Sequence, residues 1–322
     1  MTPVYQILAN SRDITEKIAD RLLSLVITDE AGIKSDTVEI RLDDRDNALE
    51  LPQTGAELDV SIGYQETGLV KIGLYTVDEI SLSGPVRSMV IRGKAANMPK
   101  AIKAPNTRPW DDVTIADLVS SIAGEYGLVP RVGSELSGIL LPHIDQTEES
   151  DLHLLTRLAK QFDAVAKPAG SFLLFIKRGQ AKSATGKKIP KVQLQSEDVT
   201  SWQVTLAERG KYGAVTAEWH DKATAQRKTV KAGDGDPVFK LRRSYPDATQ
   251  AQAAAEAKLA ALDRGTGTLE ITMPGNQSLM AEGVMTLSKF RAGIDGRWLL
   301  NRVTHTIGGQ GFSTSLSAES LK

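Results

Sequence analysis

From Ile14 to Gly93 apolar and polar residues alternate in short runs, each broken after a few residues by Gly, Asp or Pro. "RLLSLVITDEAG" and "SDTVEIRLDD" flank an acidic, Gly-containing turn. In "AELDVSIGYQETGLVKIGLYTVDEISLSGPVRSMVIRG", Leu58, Val60 and Ile62 share one face, Val70, Ile72 and Leu74 share another, and "QETG" separates them. A period of two sends successive side chains to opposite faces of a strand, so the region predicts an antiparallel sheet or barrel joined by short connections.

The period changes after Met98. "PKAIKAPNTRPWDD" carries three prolines and reads as a linker. "TIADLVSSIAGEYG" then places Ile115, Leu118, Val119, Ile122 and Tyr126 on one helical face, with Thr114 and Asp117 able to cap its start and Gly127 to stop it. A second amphipathic helix follows in "SDLHLLTRLAKQFDA". Its stripe is Leu155, Leu158, Ala159 and Phe162, Ser150 is its N-cap, and Asp151 suits the dipole at its first turn. "AVAKPAGSFLLFIKRG" adds two short strands, and the small, basic "QAKSATGKKIPK" reads as a second linker.

The alternation resumes with Trp202, Val204 and Leu206, then Val215, Ala217 and Trp219. Residues 221–264 interrupt it with a polar loop, "KAGDGDP", and an Ala-rich helix whose small face requires a flat surface to pack on. It ends in "TLEITMPG", "GVMTLSKF" and the hairpin "RWLLNRVTHTIGGQGFSTSLSAE". In that hairpin Leu299, Val303, His305 and Ile307 are expected on one face of the first strand, and Phe312, Thr314, Leu316 and Ala318 on one face of the second. The predicted class is α+β, mainly β. A first β domain spans 1–98, a small α+β domain 105–179, and a second β domain 190–322 broken by 221–264.

At 322 residues the chain exceeds one ordinary core, and 41% hydrophobic with 25% charged residues is a globular composition. A net charge of −1 argues against a protein that coats nucleic acid, which needs a basic stripe to displace counterions. With no cysteine, disulfides, thiolate chemistry and cysteine-based zinc sites are excluded. No run approaches the ~18 apolar residues of a membrane span, and no basic start followed by an apolar stretch opens the chain; a soluble protein with no membrane span is expected.

Several stretches suggest chemistry and fall short of it. "GQAKSATGKK" imitates a phosphate-binding loop, but six residues separate Gly179 from Gly186 and Lys188 stands where a hydroxyl is required. "HIDQTEESDLH" gathers His143, Asp145, Glu148, Glu149, Asp151 and His153 without the spacing of a zinc helix or a calcium loop, and reads as a solvated loop entering a helix. "DGD" at 234–236 reads as a turn. The cluster Lys182, Lys187, Lys188 and Lys191 has no interleaved aromatic residue to stack a base. No local motif selects a catalytic pair from 40 acidic residues, and no Gly-x-Ser-x-Gly elbow presents a nucleophile. His305 lacks triad partners and reads as a core histidine. No catalytic, cofactor-binding or metal-binding residue is assigned, and no enzyme activity is expected.

The order of segments resembles the phage late control D family, baseplate hub proteins of contractile tails. Three stretches carry the resemblance: "GLYTVDEISLSGPVRSMVIRGKAANM"; the pair "RPWDDVTIADLVSSIAGEYGL" and "TEESDLHLLTRLAKQFDAVAKPAGSFLLFIKRG"; and "MAEGVMTLSKFRAGIDGRWLLNRVTHTIGGQGFSTSLSAE" with its run of Gly-x-Trp, His and Gly-Phe-x-Thr. One departure is Ala281-Glu282, where the family pattern has a Pro before the Gly. The resemblance implies two tail-tube-like antiparallel β-barrel domains in one chain, with smaller domains outside. It implies a homotrimer in the virion tail baseplate, assembled in the bacterial host cytoplasm. Its expected partners are a spike protein trimer, the tail tube or a tube-initiator protein, and the tape-measure protein. The competing readings are a tail-associated cell-wall hydrolase and a DNA-binding regulator of late genes. The second needs a recognition helix with clustered Arg and Lys, which neither amphipathic helix offers, so no sequence-specific nucleic acid is expected.

Overall fold

The computed structural model describes residues 1–32, 34–95, 100–179, 191–208, 211–221 and 223–321. Lys182, Lys187 and Lys188, with most of the phosphate-loop-like stretch, lie outside the described residues.

The first alternating region forms β1 (Pro3–Ala9), β2 (Arg12–Asp13), a one-turn helix α1 (Thr15–Ile18), β3 (Leu22–Glu30), β4 (Thr37–Asp43), β5 (Glu57–Tyr64), β6 (Gly68–Ser83) and β7 (Ser88–Ala95). The middle of the chain forms β8 (Pro105–Thr114), α2 (Ile115–Glu125), β9 (Val129–Val132), α3 (Ser134–Ser137), β10 (Leu140–Ser150), α4 (Asp151–Gln161), β11 (Ala164–Ala169) and β12 (Phe172–Lys177). The remainder forms β13 (Val192–Gln195), β14 (Ser201–Leu206), β15 (Ala214–Asp221), β16 (Gln226–Ala232), β17 (Val238–Tyr245), α5 (Ala248–Arg264), β18 (Gly267–Pro274), β19 (Val284–Ser288), β20 (Gly296–Gly308) and β21 (Gly311–Leu321).

The chain is α+β and mainly β. Its two alternating regions share one 13-stranded sheet, ordered β14-β18-β21-β20-β3-β4-β7-β6-β5-β1-β2, with β19 on β20 and β13 on β19. The end strands β14 and β2 are not paired to each other, so among the described residues no closed barrel forms. The link is β20, which pairs β19 through Gly296–Leu299 and β3 through Arg302–Gly308. A bulge between Leu300 and Arg302 separates these two halves. One extra residue reverses which side chains face which way. Trp298, Leu300 and Val303 therefore share the core of the second region, and Leu300 takes the place expected for Leu299. The hairpin tip, Ile307 and Phe312, enters the core of the first region beside Ile40, Val60 and Tyr75. One hairpin thus contributes to both cores.

Both predicted helices form with the expected ends. Thr114 and Asp117 make a reciprocal capping box on α2, and Ser150 Oγ accepts from His153 N–H at the start of α4. Their apolar faces meet in a core of Leu118, Ile122, Leu155, Phe162 and Phe175. Two connections differ from expectation. The proline-rich "linker" is largely β8, paired with β10. Pro is tolerated on an edge strand whose missing N–H would face outward, so Pro105 and Pro109 do not forbid this ribbon. The acidic "loop" at 143–149 is the other strand of it.

β15 also joins a different sheet from the one its alternation suggested. It lies between β16, antiparallel, and β17, parallel. α5 covers this small sheet, and Ala251, Ala254 and Ala255 pack on Val215, Ala217 and Tyr245. The Ala-rich face thus finds the flat partner it required. No described helix is long and apolar enough to cross a membrane.

Candidate functional site

The residues singled out by the closing motif form a seam between the two β regions. His305 is 2% exposed. Its Nε2 faces the Leu279 carbonyl at 3.3 Å and its Nδ1 the Thr314 hydroxyl at 3.0 Å. Because the carbonyl can only accept, Nε2 carries the proton and Nδ1 accepts from Thr314. Phe312 packs against His305, with centroids 5.8 Å apart, and against Tyr64 at 5.3 Å. The Tyr64 hydroxyl donates to Gly275 O at 3.0 Å. A Cβ on Gly275 would come 2.1 Å from the Phe312 ring, so only glycine lets the ring pass. The histidine is therefore a packed hydrogen-bonding residue, and burial lowers its pKa to about 4.

This makes stability depend on pH. The unfolded imidazole takes a proton as pH falls through ~6.5, whereas the folded one waits until about pH 4. The unfolded state binds more protons across that interval, so stability is lost as pH falls through it, by up to about 3 kcal/mol at full linkage. His305→Gln is expected to narrow the gap between denaturation midpoints at pH 4.5 and pH 7. An unchanged gap would contradict the buried neutral assignment.

The other charged candidates are dispersed. His143 is exposed and lies against Asp111 at 2.5 Å and Asp145 at 3.2 Å, and its pKa is raised chiefly by the hydrogen bond to Asp111. Glu149 pairs with Arg157 at 2.7 Å. Asp151 turns inward and is fully buried. It accepts from Tyr126 Oη at 2.6 Å, Gln146 Nε2 at 2.7 Å, Arg108 Nη2 at 2.8 Å and Asn106 Nδ2 at 3.0 Å. Burial alone would raise its pKa, but these donors outweigh it and hold it below the usual carboxylate range. Gln146 also accepts from Trp110 Nε1 at 3.1 Å. The network ties β8, β10, α2 and α4 together, and it uses the Asn, Arg and Trp of the supposed linker. Nothing in the acidic run itself marks Asp151 as the one that turns in.

A second, partly buried charge cluster joins all three parts of the chain. Lys167, on β11, donates to Asp36 Oδ1 at 2.6 Å and to Glu30 O at 2.9 Å, and lies 3.6 Å from Asp29. Asp29 accepts from Ala281 N–H at 2.8 Å, and Glu282 accepts from Gly32 N–H at 3.0 Å. Burial raises the pKa of Asp29 and Glu282; Lys167 offsets part of this for Asp29, and Arg178 does so for Glu282. Burial works against the Lys167 ammonium, yet the fields of Asp29 and Asp36 outweigh it and raise its pKa. The Ala281-Glu282 departure lies here. Glu282 has φ +63°, and its N–H donates to Leu300 O at 2.9 Å. Proline can supply neither.

Residues 82–311 match the family model described as phage tail baseplate hub (GPD). The chain belongs to the phage tail baseplate hub family. It is 35% identical to the probable baseplate hub protein of Escherichia phage 186, over 99% of this chain and 93% of that one. Its fold is similar to the 43 kDa tail protein of prophage MuSo2 from Shewanella oneidensis, with TM-score 0.72 and 14% identity over 98% of each chain. It is also similar to the E. coli c3393 protein, a type VI secretion component with structural similarity to T4 bacteriophage tail proteins, with TM-score 0.56 and 12% identity over 94% of this chain and 74% of that one.

A baseplate hub works through its surfaces, and the hub's two sheet ends differ. At the β1 end the edge is blunted. Ile7 N–H donates to Thr15 Oγ1 at 3.0 Å, Ile14 N–H donates to Ile7 O at 3.0 Å, and β2 covers Leu8 and Ala9. At the other end β14 pairs only β18 among the described residues. It exposes Trp202 at 40% and Leu206 at 61%, with Trp202 leaning edge-on against Phe290. Unpaired strand backbone beside exposed apolar side chains is a template for another chain. The alternation of Trp202, Val204 and Leu206 was legible in the sequence; that this strand ends the sheet was not.

Proposed function

We propose that the hub acts as a homotrimer, each chain supplying two tail-tube-like units around a central channel. One face of the ring meets the six-fold tail tube or its initiator and the other the three-fold spike, and the channel surrounds the tape-measure protein. Assembly takes place in the host cytoplasm before incorporation into the virion tail baseplate. The role is mechanical rather than enzymatic.

The observation that carries this reading is the single sheet with two cores, one centred on Ile40, Val60 and Tyr75 and the other on Leu269, Met285 and Val303, ending, among the described residues, in the open edge of β14. Two tube-like halves joined through β20 supply repeated units in one chain. An uncovered apolar edge supplies a place for the next copy, as a ring of identical interfaces requires. The hydrogen-bonded His305 and the paired charges of the middle region fix geometry rather than present reactive groups.

The test is oligomeric state. Trp202→Asp combined with Leu206→Asp is expected to convert trimers to monomers in mass photometry, with little loss of melting temperature because both side chains are exposed. Trimers that persist in the double variant would remove the β14 edge from the interface.

A further inference from the structure

A cleft of about 610 Å³ lies where α4 faces α5 and β17. Its size falls in the range of ligand-binding clefts, roughly 300–1,000 Å³. A hydrogen bond from Gln161 to Gln250, 3.1 Å, spans the two helices beside it. Three of its lining cations are already occupied: Arg157 with Glu149, Arg178 with Glu319, and Arg264 with Asp163, the one carboxylate in the lining. Lys160, Arg243 and Lys258 line the same cleft from three different elements, and among the described residues none has a carboxylate at ion-pair distance. Arg243 lies over the Tyr245 ring at 5.9 Å and Lys258 over the Phe239 ring at 4.9 Å. The chain as a whole carries −1, so this local excess of positive charge is not a feature of the average surface.

We propose that this cleft docks an acidic segment of a partner protein. The floor, Ala257, Ala261 and Leu241, is apolar and mostly short, which admits a peptide backbone with small or aliphatic side chains between its carboxylates. Of the two rings in the lining, Tyr245 is buried beneath Arg243 and the His153 imidazole lies 3.8 Å from Glu149, so no phenylalanine, tyrosine or tryptophan face is free to stack a base. The free cations attract carboxylates, and such contacts steer association and set register. The proposal stands apart from the hub reading, since it requires neither a ring nor a spike.

The full-length protein would be titrated, with anisotropy as readout, against a fluorescein-labelled peptide of alternating Glu and Ala. A Gln–Ala peptide and an oligothymidylate of equal charge serve as comparisons. Lys160→Glu with Arg243→Glu, both exposed positions, is expected to weaken the acidic peptide by about ten-fold or more. Ala261→Trp fills the cleft without changing charge and is expected to weaken it as well. Lys231→Glu, an exposed position on β16 outside the cleft, should change affinity less than about two-fold. Melting curves identify any unfolded variant, for which Lys160→Gln with Arg243→Gln substitutes with the same order of effects. The proposal fails if the acidic peptide does not bind at low salt, if Lys231→Glu costs as much as the cleft variants, if Ala261→Trp has no effect, or if the oligothymidylate binds more tightly through the same residues.

Discussion

Replacing Lys167 by methionine is expected to lower stability by about 2–4 kcal/mol, because it leaves two partly buried carboxylates without their cation. Among the described residues Lys167 is the one ammonium within 4 Å of Asp29 and Asp36, and Arg178 acts on Glu282 through its longer-range field. The loss should grow as pH rises. Without the ammonium, the folded state holds the Asp29 proton to still higher pH, because the Lys167 field no longer offsets the effect of burial, whereas the unfolded chain releases it near pH 4. The folded state then binds more protons than the unfolded one over a wide interval, and stability falls as pH increases through it. Urea midpoints at pH 5 and pH 8 would show this, with the smaller deficit at pH 5. Adding Asp29→Asn to Lys167→Met should recover part of the loss. Equal deficits at both pH values would mean that the cluster is not a buried charge balance.

Asp151→Ala is expected to cost a similar amount, about 3–5 kcal/mol, but in a different place. It removes the acceptor shared by Tyr126, Gln146, Arg108 and Asn106, and strands a largely covered guanidinium with only Glu125 and Gln146. Hydrogen exchange should accelerate in β8, β10 and α4 while the large sheet stays protected, since these elements have their own core. Asp151→Asn keeps the shape and part of the acceptor capacity, and its loss should be smaller. Uniform acceleration across the sheet would contradict the local role assigned to this network.

The sequence was most readable where one local rule decides the outcome. α2 and α4 follow from cap residues and 3.6-residue stripes, and their ends fall where Thr114, Ser150 and Gly127 place them. The alternating strands of the first region follow from period two in the same way. Pairing choices were less readable because they depend on distant partners. Val215, Ala217 and Trp219 alternate as well as any strand of the large sheet, yet β15 pairs β16 and a parallel β17. The prolines near Trp110 masked β8, since an edge strand forgives what a central one does not. The bulge at Asn301 could not be foreseen from alternation, and it changed which of Leu299 and Leu300 joins Val303. The burial of His305 follows from its place in the apolar stripe, where it is hydrogen-bonded to Thr314 and Leu279 O. Asp151 and Lys167 were not marked in advance, since burial of a charge is decided by donors that lie far away in the chain.

The hub is proposed to build, from two tube-like halves in each chain, a three-fold ring that joins tube to spike, and single-particle electron microscopy of the hub coexpressed with its spike protein would show it. A three-fold ring with six similar β lobes around an open channel is expected, with spike density on one face and β14 of each copy at a subunit boundary. A monomeric particle, or a ring in which β14 faces solvent, would contradict it.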